Sequence, residues 1–456
     1  MQDAANSALY RRIAWRLIPF LLACYTVAII DRFNIGFAKL QFLQDLKLND
    51  AVFGFAAGIF SVGYVALEVP SNLLLVKIGV RKTLLRIMVL WGIVTVLLAL
   101  VQNQYHLYVL RFLLGAAEGG FFPGILYYLT LWFPDRLRGR MTSLFVMAVP
   151  LGGIIAGPVS GLIMDHMQGV YGLHGWQWLF ILEGVPAVLL GIVAYLCLAD
   201  GPQTAAWLNA DEKRRVASDL ARDRASASGT TRSFGAALRE PRVYLLSFIY
   251  FAFFCSLNTI LLWTPTLLKR VGVATATDIG WLSGAISVAS AIGMVAIGYS
   301  SDRTRERRWH VVSCGLIAAA CFLALQLAQG SVTLTVTLLA IASIGIFAIL
   351  SLFWTIPNAT LEGSAAAGGI ALISAIGSFG GAVCPALIGW MNVVTGSIYT
   401  PLGLVGALLA VGMLTLIAGI PRPRQDIPLA EPGCPSTGSR GRRQPEALVT
   451  IRNFHE

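Results

Sequence analysis

The sequence predicts an all-α integral membrane protein of twelve transmembrane helices, arranged as two pseudo-symmetric six-helix bundles. Three observations carry that prediction: a composition suited to lipid, twelve apolar windows of spanning length, and an internal repeat. Of 456 residues, 56% are hydrophobic and only 12% charged, against about 25% charged in soluble domains. Mean hydropathy is +0.72, so lipid is the solvent for most of the chain.

Apolar windows of about 20 residues fall near 16–38, 51–75, 84–102, 106–132, 140–165 and 176–198. Six more fall near 243–268, 278–300, 309–328, 332–354, 366–390 and 399–420. The first follows Arg11, Arg12 and Arg16 and runs past Phe37, too long for the core of a cleavable signal, so it is expected to remain as span 1. The expected organisation is a bundle at 1–198, a cytoplasmic linker at 199–242, a second bundle at 243–420 and a cytoplasmic tail at 421–456. The linker contains DEKRRVASDLARDRASASG and reads as partly helical; the tail, with little apolar content, reads as disordered.

Charge sets the expected topology. Of the 34 Lys and Arg residues, 28 fall in the amino-terminal segment, the tail, the linker and the connections after spans 2, 4 and 8. The opposite side has Lys39, Lys47, Lys269 and Arg270, and Arg32 and Arg111 lie within spans. Basic residues collect on the cytoplasmic side, so both termini are expected there. The net charge of +11 then belongs to loops facing anionic lipid, and nucleic acid is not an expected partner. Seven scattered cysteines without a CxxC pair read as packing residues. Five histidines without ligand spacing suggest no metal site. No nucleophile–base or metal constellation is present, so the chain is not expected to be an enzyme.

The repeat supports the six-plus-six division. Gly298-Tyr-Ser-Ser-Asp302-Arg303-Thr-Arg305 after span 8 matches the place of Val76 and Lys77 after span 2, an offset of 226 from Val76 to Asp302. Pro158 in span 5 and Pro385 in span 11 stand in similar glycine frames, 227 apart. Two agreeing offsets indicate parallel repeats, a pattern in which substrate sits between the bundles near the midplane.

Ionisable residues inside a membrane mark pathways or sites by default. Asp31 and Arg32 lie in span 1, Arg111 and Glu118 in span 4. Arg111 and Glu118 are seven residues apart and so share one helix face, about 10 Å apart along the axis. Gly115, Ala116, Ala117, Gly119 and Gly120 beside them form a small-residue surface on which another helix can pack closely. Counted along the helices at about 1.5 Å per residue, Asp31, Arg32 and Arg111 share a level, with Glu118 nearer the middle. Arg32 is the candidate to bind a substrate carboxylate through its planar fork. Asp31 and Glu118 are candidates to exchange a coupling proton, with Arg111 tuning one of them. An anion that engages the arginine withdraws support from its carboxylate partner, which then takes a proton. The structural reading, a neutralised cluster closing the outer gate, is compatible with the same residues.

Several strings resemble the major facilitator superfamily. The GxxxDRxR string at 298–305 looks like its cytoplasmic-loop motif. DRFNIGFA (31–38), GYVALEVPSNLLL (63–75), RFLLGAAEGGFFPG (111–124), LWFPDRLRGR (131–140) and GWQWLFILEGVPAVLLG (175–191) look like its anion:cation symporter family. Members of that family carry sugar acids, tartrate, phthalate or hydroxyphenylacetate in bacteria, or glutamate into vesicles. The resemblance covers about residues 10–420. It implies the major facilitator fold, a multi-pass protein of a bacterial inner membrane, and proton-coupled uptake of a carboxylate by alternating access. It gives Arg32 to substrate and Asp31 and Glu118 to protons, and it places Tyr64 in the substrate site. Ile29, Ser374 and Ser378 stand where the family often has tyrosine or asparagine, which favours an aromatic or dicarboxylic acid over a sugar acid.

The second bundle has no charge in mid-span. Asn258, Trp354 and Ser374 are its substrate-binding candidates, with helix-to-helix packing as the other reading of each. Glu68 is assigned to a gate network, and Asp302, Arg303 and Arg305 to bracing helix ends during conformational change. Glu183 in span 6 reads as structural. No cofactor is implied beyond protons as coupling ion. The partners are a small organic anion, protons and the bilayer, with the monomer as the working unit. The alternative function is a proton-coupled exporter or antiporter of organic anions or drugs, motivated by Gly153-x3-Gly157-Pro158-x2-Gly161.

Overall fold

The computed structural model describes residues 2–227, 238–361 and 365–419. The expected tail and the middle of the linker lie outside them. The described residues form one compact unit. Among the described residues the regular elements are helices and no strand occurs.

Before the linker come α1 (Gln2–Asp45), α2 (Asp50–Ile78), α3 (Val80–Leu98), α4 (Gln104–Glu118), α5 (Phe121–Trp132), α6 (Asp135–Val146), α7 (Ala148–His166) and α8 (Gly175–Cys197). The linker contains α9 (Ala210–Ala227). After it come α10 (Pro241–Arg270), α11 (Ala276–Thr304), α12 (Arg308–Ala324), α13 (Val332–Leu352), α14 (Thr355–Thr360), α15 (Ala365–Ser378), α16 (Gly380–Thr395) and α17 (Tyr399–Gly419). Side-chain caps start several of them: Asn49 accepts from the Val52 N–H, Asn103 from those of Tyr105 and His106, and Thr275 from that of Asp278.

Eleven helical stretches among the described residues are long and apolar enough to cross a membrane. The twelfth expected span is α3, 19 residues long, whose first two turns carry Arg81, Lys82 and Arg86. Three other expectations need correction. Span 1 does not end at 38, because α1 continues to Asp45. Lys39 is therefore no loop residue but a helical lysine only 3% exposed. Span 4 is broken at Gly119–Gly120, where Gly120 has φ +92°, a conformation that disfavours any side chain. Span 11 is likewise divided, into α15 and α16 at Phe379.

Within the first group α3 packs on α8, α2 on α4, and α1 on α7 and α8; within the second, α10 packs on α15 and α17, and α12 on α13 and α17. The groups meet along α2–α16, α7–α11 and α1–α10. These seams are backbone against backbone. A Cβ on Gly54 would lie 2.2 Å from the Pro385 carbonyl oxygen, and one on Gly157 would lie 2.5 Å from that of Gly280.

Polar groups lock the same end. Lys39 Nζ is 3.0 Å from Asp50 Oδ1 and sits 3.6 Å from the ring centre of Trp263 and 4.1 Å from that of Phe53. Arg270 approaches Asp50 at 3.7 Å and donates to Asn392 Oδ1 at 3.1 Å, and Asn392 Nδ2 donates to Asp50. Asp165 accepts from the backbone N–H of Thr277 at 2.7 Å. At the other end Val69, Leu73 and Val76 of α2 and Val295 and Tyr299 of α11 are exposed. The molecule is thus closed at its Asp50 end.

Candidate functional site

Close packing of α2 on α4 builds the floor of the site. A Cβ on Gly115 would lie 2.0 Å from the Phe60 carbonyl oxygen, so the expected small-residue surface is the contact face. That contact sets Glu118 beside Tyr64 and brings both toward Arg32 of α1.

Arg32 Nε donates to Glu118 Oε1 at 2.8 Å, and Nη2 donates to the same oxygen. The guanidinium lies over the Tyr64 ring, 5.4 Å from its centre. Glu118 is 1% exposed and Arg32 31%. Arg32 and Tyr64 are both part-exposed. Nε and Nη2 of the Arg32 guanidinium hold Glu118, and the side chain stays partly accessible.

Asp31, adjacent in sequence, points elsewhere. It is 2% exposed and accepts from Asn34 Nδ2 (2.9 Å), Trp91 Nε1 (2.8 Å) and Thr95 Oγ1 (3.1 Å). Its donors are neutral, two of them from α3, so charge stabilisation comes from dipoles and from Arg111 nearby. Arg111 is 4% exposed, its Nε 3.4 Å from the Ala56 carbonyl oxygen and its guanidinium 4.6 Å from the Phe60 ring centre. It acts electrostatically on both Asp31 and Glu118 without an ion pair to either. The level estimate that separated Arg32 from Glu118 gives way to the reach of a long arginine side chain.

Glu68 lies within electrostatic reach of Arg32 and Tyr64, which puts it near this cluster on α2. Asp302 pairs with Arg307, a residue not singled out from the sequence, while Arg303 and Arg305 are exposed. Among the candidates of the second group, Asn258 Nδ2 donates within its own helix to the Phe254 carbonyl at 2.9 Å and lies beside Gly381. Trp354 packs on Tyr250 with ring centres 4.9 Å apart. Ser374 is part-buried. No hydrogen bond among the described residues joins these three to Arg32.

Sequence reasoning missed Trp91 and Thr95, the donors to Asp31, and Asn34 beside them. It also missed Tyr25, which Arg32 and Glu118 both influence. Tyr25 stands seven residues before Arg32, the same one-face spacing that singled out Arg111 and Glu118, so that signal was available. Among the described residues no His, Cys, Asp and Glu cluster could hold a metal ion.

The family model described as Major Facilitator Superfamily matches residues 21–369 and 273–452. The chain belongs to the major facilitator superfamily. This facilitator is 43% identical over 416 residues to a Pseudomonas putida protein named as a metabolite transport protein, NicT, covering 91% of this chain and 95% of that one. It is 42% identical over 415 residues to an Agrobacterium vitis protein named as a tartrate transporter, covering 91% and 92%. It is 39% identical over 405 residues to a quinolone resistance transporter of Acinetobacter baumannii, covering 89% and 93%. Among solved structures, a partially occluded inward-open form of the xylose transporter XylE from E. coli matches with TM-score 0.71 at 14% identity, over 90% of this chain and 98% of that chain. The facilitator is therefore a multi-pass membrane transporter, not an enzyme.

Proposed function

We propose that this facilitator carries an organic anion, a small carboxylate, together with protons by alternating access. One observation carries the reading: the buried Glu118 gives one oxygen to two donors of an arginine that itself remains 31% exposed. A carboxylate reaching that arginine competes for the fork, for which bidentate binding is favourable. Glu118, losing its counter-charge in a buried place, then takes a proton. Substrate and proton bind together, and neither binds as well alone. Arg32 and Tyr64 hold the anion, Asp31 and Glu118 exchange protons, Arg111 tunes them, and Asn258, Trp354 and Ser374 shape the rest of the site.

The relatives named as tartrate transporters support a carboxylate. The distribution of basic residues supports cytoplasmic termini in a bacterial inner membrane, with the Asp50 end outermost. A second reading, export of organic anions or drugs, is favoured by the quinolone resistance relative.

Proteoliposomes with pH gradient and voltage set separately test the proposal, using labelled tartrate, phthalate and a sugar acid. Inward accumulation should follow an inward proton gradient, and Glu118→Gln should abolish it while leaving exchange of internal for external substrate. Accumulation indifferent to the gradient would remove symport. Uphill efflux driven by inward protons would select the export reading.

A further inference from the structure

Behind Asp31 lies a second carboxyl group that the coupling scheme above does not use. Glu183 on α8 is 5% exposed. Ser160 Oγ of α7 donates to its Oε1 at 2.8 Å, while Oε2 is buried with no partner. Asn34 of α1, 1% exposed, lies beside it with its own Oδ1 buried and unpartnered and its Nδ2 given to Asp31. Two orphaned acceptors in one buried place lack a hydrogen, since buried polar atoms are otherwise almost always paired.

The surroundings supply no cation. Of the helices packed on α8, α1 presents Asp31 and Asn34, and α7 presents Ser160. From α3, Trp91 and Thr95 are both turned to Asp31. Among the described residues no Lys or Arg forms an ion pair with Glu183, and the charge that acts on it is Asp31, of the same sign. An unpaired buried carboxylate beside another is strongly disfavoured. Reversing the Asn34 amide would turn its Nδ2 toward Glu183 and its oxygen toward Asp31, moving the missing hydrogen onto that carboxyl group; Asp31 already has Trp91 and Thr95 as donors and Glu183 has Ser160, which favours Glu183 as the protonated member.

We infer that Glu183 is a proton-binding residue, a neutral acid in this conformation, linked to Asp31 through Asn34 so that the pair does not carry two negative charges at neutral pH. This deepens the proton-coupled reading and rests on it for its purpose: a proton is already stored one residue away from Asp31. The protonation state itself stands independently of transport.

Infrared spectroscopy of the full chain in lipid, with hydrogen–deuterium exchange to mark carboxylic acid C=O bands, reads that state directly. The expected result is a protonated-carboxyl band at neutral pH that Glu183→Gln removes. In Asp31→Asn, where the like charge is gone, the band should persist but vanish on alkalinisation at lower pH than in the wild type. A wild type without such a band, or a band that Glu183→Gln leaves intact, overturns the inference. An unchanged alkaline limit in Asp31→Asn overturns the linkage. Thermal unfolding in detergent gives a second arm, because Gln mimics the neutral acid. Glu183→Gln should equal the wild type at acidic pH and outlast it as pH rises; parallel loss in both refutes a stored proton. Transport that proves indifferent to protons would sink the coupling proposal while leaving the infrared result standing.

Discussion

Replacing Arg32 by Gln tests the centre of the site most sharply. The variant keeps a polar side chain but leaves Glu118, 1% exposed, without counter-charge. Breaking a buried pair by removing one member costs about 3–5 kcal/mol when the survivor stays charged. Glu118 has another course, which is to hold a proton in the folded state. Glutamate ordinarily titrates near about 4.3 and each pH unit is worth about 1.4 kcal/mol, so holding that proton at pH 7 costs about 3.5–4 kcal/mol. The two figures agree, and only the second depends on pH. The folded variant then binds a proton that the unfolded chain releases, so its stability is present at low pH and lost as pH rises. SDS titration of the purified protein in mild detergent at pH 5, 6, 7 and 8 measures this. The expected slope is about 1.4 kcal/mol per unit relative to wild type, and Arg32→Gln combined with Glu118→Gln should abolish it. A loss independent of pH, or a double variant that keeps the slope, would refute proton uptake by Glu118 when its arginine is withdrawn.

Other outcomes follow from the packing and the charge clusters. Gly115→Ala places a methyl 2.0 Å from the Phe60 carbonyl oxygen and should cost about 1–3 kcal/mol or more through overpacking. Gly139→Ala, with nothing within 4 Å, should cost nothing in the same assay. Asp50→Asn strips Lys39 of its counter-charge and frees Arg270; disulfide cross-linking of cysteines placed on α2 and α16 at the closed end should slow severalfold. On the linker, Glu212 is held below the usual carboxylate range by the Asn209 backbone N–H and by Arg12. The small stabilisation it gives, about 0–1 kcal/mol for a surface pair, is present above that range and lost as pH falls through it. Trypsin cleavage after Arg214 and Arg215 should accordingly quicken in Glu212→Gln.

The spans were legible because hydropathy over a turn-by-turn window is a local property, and the spacing of Arg111 and Glu118 fixes one face without knowledge of any neighbour. The partners were not. Arg32 finds Glu118 across 86 residues, and Asp31 finds Trp91 and Thr95 across 60 and 64. Such choices are made by helix rotation, to which a single helix's periodicity is indifferent. Lys39 was misplaced for a different reason: topology rules treat lysine as a loop residue, whereas two aromatic faces and Asp50 solvate this one inside the closed end. The linker's polar composition likewise concealed that α9 is docked, with Tyr10 donating to Asp219 at 2.9 Å and Arg12 paired to Glu212.

The break at Gly119–Gly120 has a mechanical consequence. Glu118 is the last residue of α4, and the next rigid rod, α5, begins at Phe121 with 12 residues, an arm of about 18 Å at 1.5 Å per residue. A pivot of about 10° at the joint sweeps the far tip of that arm by about 3 Å, several times the stretch that ends a hydrogen bond. A pivot at the glycine pair would act as a wrist: α5 would swing widely with little displacement of Glu118 itself, so the carboxyl group would stay within grasp of Arg32 while the rod beyond it changed direction.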